Sequence, residues 1–564
     1  MSKINSQYLK DSFNLLKGFW TSDQKWKALF IFALCIIFNF AFIYVNVKFS
    51  YWHRDFYNAL QDLDQKLFIK LIYKFFILLI PFLAFVIAKV YFTAILSFLW
   101  RQWLTQEYLA NWGKNDTYYH VLSDSNHIDN PDQRIANDLA LVTESTLSMV
   151  ILLIGEVANL ISFAVILWGL SSTLAFSVFG ISLAIPGYLV WAALLYAAIG
   201  TIITYFTGRK LVLFDFNQEK YEANFRRALI KLQEKREEIA FYKGIATEEK
   251  KLVEKFSMIK GNFLLIIKQK IYINIVLNIY NNLANIFPII ICSPMFFSKA
   301  IAFGVLMQIS QAFGKVNDSF SIIISNFNDL ASLKASLNRL IEFKHNITDA
   351  KLKYKNSQIL VNQTDKKIIK IENLTLTKPN GEVILHDFSF DNKTNKKTLI
   401  TGASGTGKTT IARALRGIWK YGKGDIEISK NTLFMSQIPF LPQGSLAESI
   451  NYPKVGTGNK KLLTGLLSEF ELPHLIEKLD TEDEWSNVLS MGEQQRLAIV
   501  RAIIHQPDVV IMDEPTSNLD KKTEIKAIEL LLSKLKQSSF LVISHSEGIA
   551  KYFDKIINIE KLRT

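Results

Sequence analysis

Residues 396–418 read KKTLITGASGTGKTTIARALRGI. A short apolar strand, a glycine-rich loop and the start of a helix follow one another, and Gly402, Ala403, Ser404, Gly405, Thr406, Gly407, Lys408 and Thr409 fill the pattern GxxxxGK[ST] in the setting it requires. The glycines let backbone N–H groups curl round phosphate oxygens and the helix amino terminus adds partial positive charge. Lys408 is placed for β and γ phosphates, and Thr409 offers a hydroxyl to Mg2+. A glycine-rich turn is the plain alternative, and the sequence downstream argues against it. Val509, Val510, Ile511 and Met512 run into Asp513 and Glu514, so a buried strand delivers two carboxylates to its carboxyl end, where ligands bind in parallel sheets. Asp513 suits Mg2+ held through water, which leaves Glu514 to polarise the water attacking the γ phosphorus, as general base or orienting group. Gln437, after TLFMS, and His545, after FLVIS, sit at two further strand ends. Ser490 with Glu493 forms a capping box, so a helix through RLAIVRAII is expected to start there and present Gly492 at its amino terminus.

From residue 367 onward short β-like runs alternate with helical stretches: KIIKIENLTLT, VILHDFSF, TLIT, DIEIS, TLFMS, VVIMD, FLVIS and KIINIE. This predicts an α/β domain over 367–564 with a mostly parallel sheet. The polar stretch 346–366 before it reads as a linker. The preceding residues are different in kind. Residues 28–47, ALFIFALCIIFNFAFIYVNV, have only Asn39 and Asn46 as strongly polar members, and about twenty helical residues cross roughly 30 Å of hydrocarbon. The run is too long for the apolar part of a secretory signal and no small-residue cleavage site follows it. Further runs near 71–99, 147–169, 184–206, 271–297 and 300–325 bring the expected spans to six. Gln308, Gln311, Lys315, Asn317 and Asp318 interrupt the last, which suits a helix with one face on a water-filled cavity. The expected fold class is thus multidomain, an all-α six-helix transmembrane domain over 1–345 followed by an α/β P-loop NTPase domain.

Composition agrees with two parts. The 564 residues exceed one compact core, and 49% hydrophobic against 21% charged residues is too apolar for disorder. Cys35 and Cys292 lie far apart in apolar runs and offer neither a disulfide framework nor a metal-binding pair. The net charge of +14 is mostly a topology signal. Residues 207–262 are dense in Lys and Arg whereas 170–185 hold none, which places the former in the cytoplasm. Lys3, Lys10, Lys17 and Lys25 put the amino terminus on the same side, and six crossings return the carboxyl half to it. No basic and aromatic stripe marks the soluble half, so no nucleic-acid partner is expected.

In their order these motifs resemble those of the ATP-binding-cassette (ABC) ATPases: Walker A at 402–409, Q-loop Gln437, signature LSMGEQQ at 489–495, Walker B ending in Asp513 and Glu514, D-loop SNLD at 517–520 and switch His545. Each is weak or moderate alone, and the ordered set is highly specific. The resemblance implies ATP and Mg2+ as cofactors. It implies nucleotide contacts from Gly402, Ala403, Ser404, Gly405, Thr406, Gly407, Lys408, Thr409 and Thr410, metal contacts from Thr409, Gln437 and Asp513, and catalytic roles for Glu514, His545 and Gln437. In that family the signature of one subunit closes over the ATP of another, which would add Ser490, Gly492, Glu493 and Asp520 in trans. With one signature and one Walker A, the chain is expected to form a homodimer, or a heterodimer with a similar half-transporter. One departure is the lack of an adenine-stacking aromatic in TKPNGEV at 377–383, where Pro379 is the candidate substitute.

The whole chain looks like a fused half-transporter of exporter-type architecture, whose long cytoplasmic loops carry coupling helices. YWHRDFYNALQ (51–61), NPDQRI (130–135), EANFRRALIKLQEKREEIAFYKG (222–244) and GVLMQISQAF (304–313) are similar to the SbmA/BacA-like bacterial transporters and share features with the peroxisomal fatty-acyl, D-subfamily transporters. The missing aromatic is a feature of that branch too. The resemblance implies ATP-driven movement of a small-molecule or peptide solute across a bacterial inner membrane, foremost uptake of peptides or cobalamin-like bulky compounds. Fatty-acyl or lipid-like cargo, a proton-coupled permease regulated by nucleotide, and a membrane-anchored ATPase are the competing expectations. In NPDQRI, Asn130 or Asp132 can cap and Pro131 can start a short helix suited to a groove near Gln437. The 222–244 segment, with its abundant charges, reads as an interdomain contact in preference to an ordinary solvated helix. Lys89 and Glu156 interrupt apolar runs and either pair across helices, line a cavity or, for Glu156, carry protons.

Overall fold

A computed structural model describes residues 6–123, 131–171, 176–178, 181–183, 186–392, 395–403 and 405–562. The chain divides into two compact units, 1–110 with 128–344, and 111–127 with 345–564.

The first unit is built from α1 (Ser6–Trp20), α2 (Lys25–Gln61), α3 (Gln65–Gly113), α4 (Leu139–Ser171), α5 (Tyr188–Glu234), α6 (Ile245–Phe297), α7 (Phe303–Ser325) and the start of α8 (Phe327–Lys355). A short antiparallel hairpin, β1 (Phe176–Val178) and β2 (Ile181–Leu183), lies between α4 and α5. Among the described residues five helical stretches, beginning at Lys25, Gln65, Pro131, Tyr188 and Ile245, are long and apolar enough to cross a membrane. The sixth expected span does form a helix, α7, but it is not among the five. Of its polar residues Lys315 and Asp318 are exposed, as a water-facing side requires, whereas Gln308 and Asn317 are not. α7 packs on α2, α4, α5 and α6, with Ile309, Ala312, Phe313 and Val316 buried. Gln308 and Asn317 are buried with them, and protein groups bond the Gln308 amide nitrogen and the Asn317 amide oxygen. Gln308 Nε2 donates to Ser50 Oγ at 3.4 Å, and Asn317 Oδ1 accepts from the Tyr280 hydroxyl at 2.5 Å. Tyr280 and Tyr196 also exchange bonds between hydroxyl and backbone carbonyl, at 2.6 and 3.1 Å, with their rings stacked. Pro81, Pro288 and Pro294 lie inside α3 and α6, while Pro186 stands in the turn before α5 and not in a span.

Lys89 and Glu156 are not paired. Lys89 Nζ donates to Asn39 Oδ1 at 3.4 Å and lies over the Phe42 ring, whereas Glu156 accepts from Ser319 Oγ at 2.8 Å. Lys89 lines a cavity of about 530 Å³ between α3 and α4, together with Thr93, Ser97, Arg101, Glu144 and Ser148.

At 1.5 Å per residue the 47 residues of α5 and 53 of α6 reach well past roughly 30 Å of hydrocarbon. Between them Lys235 leaves helical geometry, a short helix spans Arg236–Phe241, and Phe241 and Tyr242 are 78% and 87% exposed. In the NPDQRI segment Asn130 lies outside the described residues, and Pro131 opens a short helix that continues as a π-helical turn, Arg134–Asp138. That turn aims Asp138, 5% exposed, at three partners. It accepts from Ser336 Oγ at 3.0 Å, from Arg339 Nε and Nη2 at 2.9 and 2.5 Å, and from Arg134 Nη1 at 3.1 Å.

The second unit carries strands β3 (Gln358–Thr364), β4 (Ile369–Thr377), β5 (Val383–Asn392), β6 (Lys397–Thr401), β7 (Gly422–Ser429), β8 (Thr432–Met435), β9 (Val509–Asp513), β10 (Ser539–Ile543) and β11 (Lys555–Asn558). These form two sheets where one was expected. The order β11-β6-β10-β9-β8 is wholly parallel, and β3-β7-β4-β5 is mixed, with only β3 and β7 parallel. Central parallel strands are apolar on both faces, so alternate residues feed two cores. Val510, Met512, Phe540 and Val542 pack to one side, and Val509, Ile511, Leu541 and Ile543 to the other.

The stretch 346–366 is not a linker. It contains the end of α8 and all of β3, because Ile347 and Ala350 bury one helix face and Ile359 the inner face of an edge strand. The segment 111–127 also belongs to this unit, and 130–135 does not. Asp116 pairs with Arg416 at 3.4 Å and Lys351 Nζ donates to Asn111 Oδ1 at 2.9 Å.

Removing one partner of a fully buried ion pair costs roughly 3–5 kcal/mol. With 38% of the Arg339 side chain exposed, Asp138→Ala is expected to cost about 2 kcal/mol, read as a lower thermal unfolding midpoint in detergent. Asp138→Asn, which keeps an acceptor, should lose less; equal midpoints for wild type and Asp138→Ala would refute the role of this cluster.

Candidate functional site

The site sits where the parallel sheet ends. β6 stops at Thr401, the loop turns through Gly402, Gly405 and Gly407, and helix α9 (Lys408–Leu415) begins. Gly407 has φ +92°, and a Cβ there would come within 2.3 Å of Ile384 Cγ2, so both backbone and space require glycine. Gly405, at φ +81°, turns in the same left-handed sense. Ser404 lies outside the described residues. Thr406 Oγ1 donates to Ala403 O at 2.8 Å and stiffens the loop, while Ala403 N donates to the Glu560 carboxylate. Such a cradle fits phosphate oxygens.

Lys408 is 6% exposed. Its Nζ donates to Gly402 O at 2.7 Å and Ala403 O at 2.8 Å, and lies 3.0 Å from His545 Nε2. Burial lowers the pKa of its ammonium, against the opposing pull of Glu514, Asp513 and Glu560. Thr409 is exposed and Thr410 half-buried in the first turn of α9.

β9 pairs in parallel with β8 on one side and β10 on the other, with Met512 opposite Met435 and Asp513 opposite Ile543. Three loops therefore leave the sheet together. Glu514 takes φ +47°, uncommon for a residue with a Cβ, and its N–H donates to Ile543 O at 2.8 Å. That turn points its carboxylate between the neighbouring loops. Oε1 is 3.2 Å from His545 Nε2, and Oε2 accepts from Gln437 Nε2 at 3.2 Å. Gln437, Glu514, His545 and Lys408 thus converge. Nε2 of Gln437 is directed at Glu514, and the amide oxygen of Gln437, the Asp513 carboxylate and the Thr409 hydroxyl are oxygen donors of the chemical type Mg2+ prefers.

The signature residues form a second group. Helix α10 (Met491–His505) opens on the expected capping box: Ser490 Oγ accepts from Glu493 N at 3.4 Å, and Glu493 Oε2 accepts from Ser490 N at 2.9 Å. Burial would raise the pKa of Glu493, but hydrogen bonds from Ser490 and from His474 at 2.8 Å outweigh it and hold the carboxyl below its usual range. A Cβ on Gly492 would approach Asn518 O at 3.2 Å, which keeps the helix start close to the D-loop. Asp520 caps helix α11 (Lys521–Lys534), accepting from Lys522 N and Thr523 N at 3.0 and 3.1 Å. Among the described residues no hydrogen bond or ion pair joins Ser490, Gly492, Glu493 or Asp520 to the Walker A residues.

Gln495 lies within the quoted signature but was given no role from sequence. Its Nε2 donates to Gln437 O and Ser517 Oγ, both at 3.2 Å, and its Oε1 accepts from Asn518 N at 3.0 Å. It thereby joins α10, the Q-loop and the D-loop. A second glutamine in a capped first turn is the only signal that marks it. The turn expected to meet adenine is closed by Lys378 N donating to Glu382 O at 2.7 Å. Trp419 Nε1 holds its base through Thr377 O and Tyr421 O, both at 3.1 Å.

Comparison with known proteins gives the family. The family described as ABC transporter transmembrane region 2 matches residues 15–297, and the ABC transporter ATPase family matches 385–517. An inner membrane ABC transporter ATP-binding protein, YddA, of Escherichia coli K12 is 31% identical, covering 97% of this chain and 96% of its own length. ABC transporter D family member 2, chloroplastic, of Arabidopsis thaliana is 31% identical over 98% of this chain and 86% of its own. The human lysosomal cobalamin transporter ABCD4 is 24% identical over 82% and 80%. With a membrane region fused to an ATPase and relatives aligned over nearly its full length, the chain belongs to the ABC transporters, as a multi-pass, ATP-hydrolysing half-transporter related to the D family.

Proposed function

We propose that two copies of this chain pair to form a transporter that drives a solute across the bacterial inner membrane, with amino terminus and ATPase units in the cytoplasm. The observation that carries this reading is the convergence of Lys408, Gln437, Glu514 and His545 at the strand ends, while among the described residues no hydrogen bond joins Ser490 or Gly492 to them. Half a nucleotide site lies in each group, so a second copy completes two sites. The exposed Phe241 and Tyr242 at the tip of the α5–α6 hairpin support the pairing, since an aromatic knob of this kind seeks a groove on another surface.

Bound MgATP supplies the phosphoryl group and the charge-neutralising metal. Lys408 withdraws charge from the β and γ phosphates, Asp513 and Thr409 hold the metal side, and Glu514 orients and deprotonates the attacking water. His545, in contact with Glu514 and Lys408, aligns the carboxylate against the γ phosphate. Gln437 reports the state of the site to its loop.

For cargo, the cobalamin transport of the human relative supports a bulky, partly polar solute, peptide or cobalamin-like, with uptake as the direction proposed. A second reading, an amphiphilic acyl anion, is favoured by the cavity between α3 and α4. Lys89 and Arg101 are its cations against the single carboxylate of Glu144, Thr93, Thr143, Ser97 and Ser148 its hydroxyls, and Val90, Phe98 and Leu152 part of its apolar wall.

Glu514→Gln should cut ATP hydrolysis by about 10²–10⁴-fold, as loss of a general base does, while nucleotide binding persists and transport stops. Phosphate release and nucleotide binding on lipid-reconstituted protein measure both; transport surviving this change would establish the nucleotide-regulated permease instead. A panel of labelled peptides, cobalamin and acyl-CoA in sealed vesicles of known orientation decides cargo and direction. Lys89→Gln with Arg101→Gln is expected to reduce acyl-CoA movement selectively if the second reading holds, and to leave the panel unchanged if it does not.

A further inference from the structure

The two loops bearing the proposed hydrolytic pair share one anchor. Glu524, in the first turn of α11, is 6% exposed. Its Oε1 accepts from Thr516 Oγ1 at 2.8 Å and its Oε2 accepts from Ser546 Oγ at 2.8 Å. Thr516 lies just beyond Glu514 in the loop after β9, and Ser546 directly follows His545 in the loop after β10. Each carboxylate oxygen therefore holds one of the loops that bring Glu514 Oε1 to 3.2 Å from His545 Nε2.

The clamp has a firm base. Glu524 N donates to Asp520 O at 2.8 Å, and Asp520 caps the same helix, so the carboxylate projects from a fixed turn. No salt bridge to Glu524 exists among the described residues, although burying an unpaired carboxylate is costly. Two hydroxyl donors satisfy it, and an apolar side chain of similar volume would pack there at lower cost. What such a side chain would not do is tie the two loops to each other.

We propose that Glu524 is a positioning residue for ATP hydrolysis, a buried carboxylate clamp that locks the loop after β9 to the loop after β10 and so sets the separation of Glu514 from His545. It rests on the roles given to those two residues above. Glu524 touches neither substrate nor metal; it acts through Thr516 and Ser546. A displacement of about 1 Å at a reacting group can cost on the order of 10²-fold in rate, so slack in this clamp appears in turnover before it appears in nucleotide affinity.

The test uses the full chain reconstituted in lipid, measuring kcat and KM for MgATP, equilibrium nucleotide binding and the thermal midpoint. Glu524→Ala is expected to lower kcat about tenfold or more with KM and nucleotide affinity held within about threefold. Glu524→Gln retains the volume, one acceptor for the first hydroxyl and an amide donor for the second, so kcat should return to within about threefold of wild type. Ser546→Ala and Thr516→Val should each lower kcat, and adding either to Glu524→Ala should cost little more. Four results overturn the proposal: an unchanged kcat in Glu524→Ala, a parallel fall of kcat, affinity and midpoint, a Glu524→Gln as slow as the alanine variant, or full additivity with Ser546→Ala. If Glu524→Ala does not fold, the single hydroxyl variants decide, and normal turnover in both refutes the clamp. Glu514→Gln separates the two levels. Hydrolysis lost there but kept in Glu524→Ala sinks only the clamp, whereas hydrolysis kept in Glu514→Gln sinks the underlying assignment.

Discussion

Parallel pairing of β9 with β8 and β10 is the constraint on which the site depends. Because Met512 stands opposite Met435 and Asp513 opposite Ile543, the three strands end at one level and their loops emerge side by side. Gln437, Glu514 and His545 come from segments far apart in the chain, and nothing local would bring them within hydrogen-bonding reach. Slanted, evenly spaced ladder bonds do so, and burial of Val509–Met512 on both faces makes any other register expensive. Glu514 then adopts its left-handed backbone just where the ladder stops, at the junction between a rigid strand and a loop that can act.

The membrane unit follows a different economy. Lipid offers no partner to a polar side chain, so α7 is admitted only by being enclosed, and its Asn317 and Gln308 find Tyr280 and Ser50. The reciprocal hydroxyl bonds of Tyr196 and Tyr280 tie α5 to α6. Asp138 performs a similar function at the start of α4, joining the turn before it to Ser336 and Arg339 of α8. In each case a polar group marks the place where helices must be tied, since apolar contacts alone do not distinguish one register from the next.

Much of the ATPase site was legible in the chain. Glycines at fixed offsets before Lys408, two acids after four apolar residues, and Ser490 three residues ahead of Glu493 are local patterns whose chemistry is set by neighbours in sequence. The capping box and the helix after Gly407 appear as those patterns require. Where sequence reading failed, the deciding contact was distant. Residues 346–366 read as a linker because an edge strand with one buried face and a helix with a narrow apolar stripe both look polar. Lys89 and Glu156 left three arrangements open, since nothing in an apolar run says which buried polar group faces which. Gln495 and Glu524 were passed over because a glutamine and a glutamate in a helix's first turn are ordinary residues until the loops they hold are in place.

Spacing, periodicity and the run of apolar residues determined by themselves that this chain has a membrane-crossing helical half and a phosphate-binding α/β half. These depend on interactions within a turn or along a strand, and on hydrocarbon thickness, which acts on any sufficiently long apolar segment. Which polar side chains meet was decided only by the tertiary structure. Polar contacts between Glu514, His545 and Gln437, or between Glu524, Thr516 and Ser546, join residues separated by loops and strands, and their geometry exists only once sheet register and helix packing have closed the intervening chain.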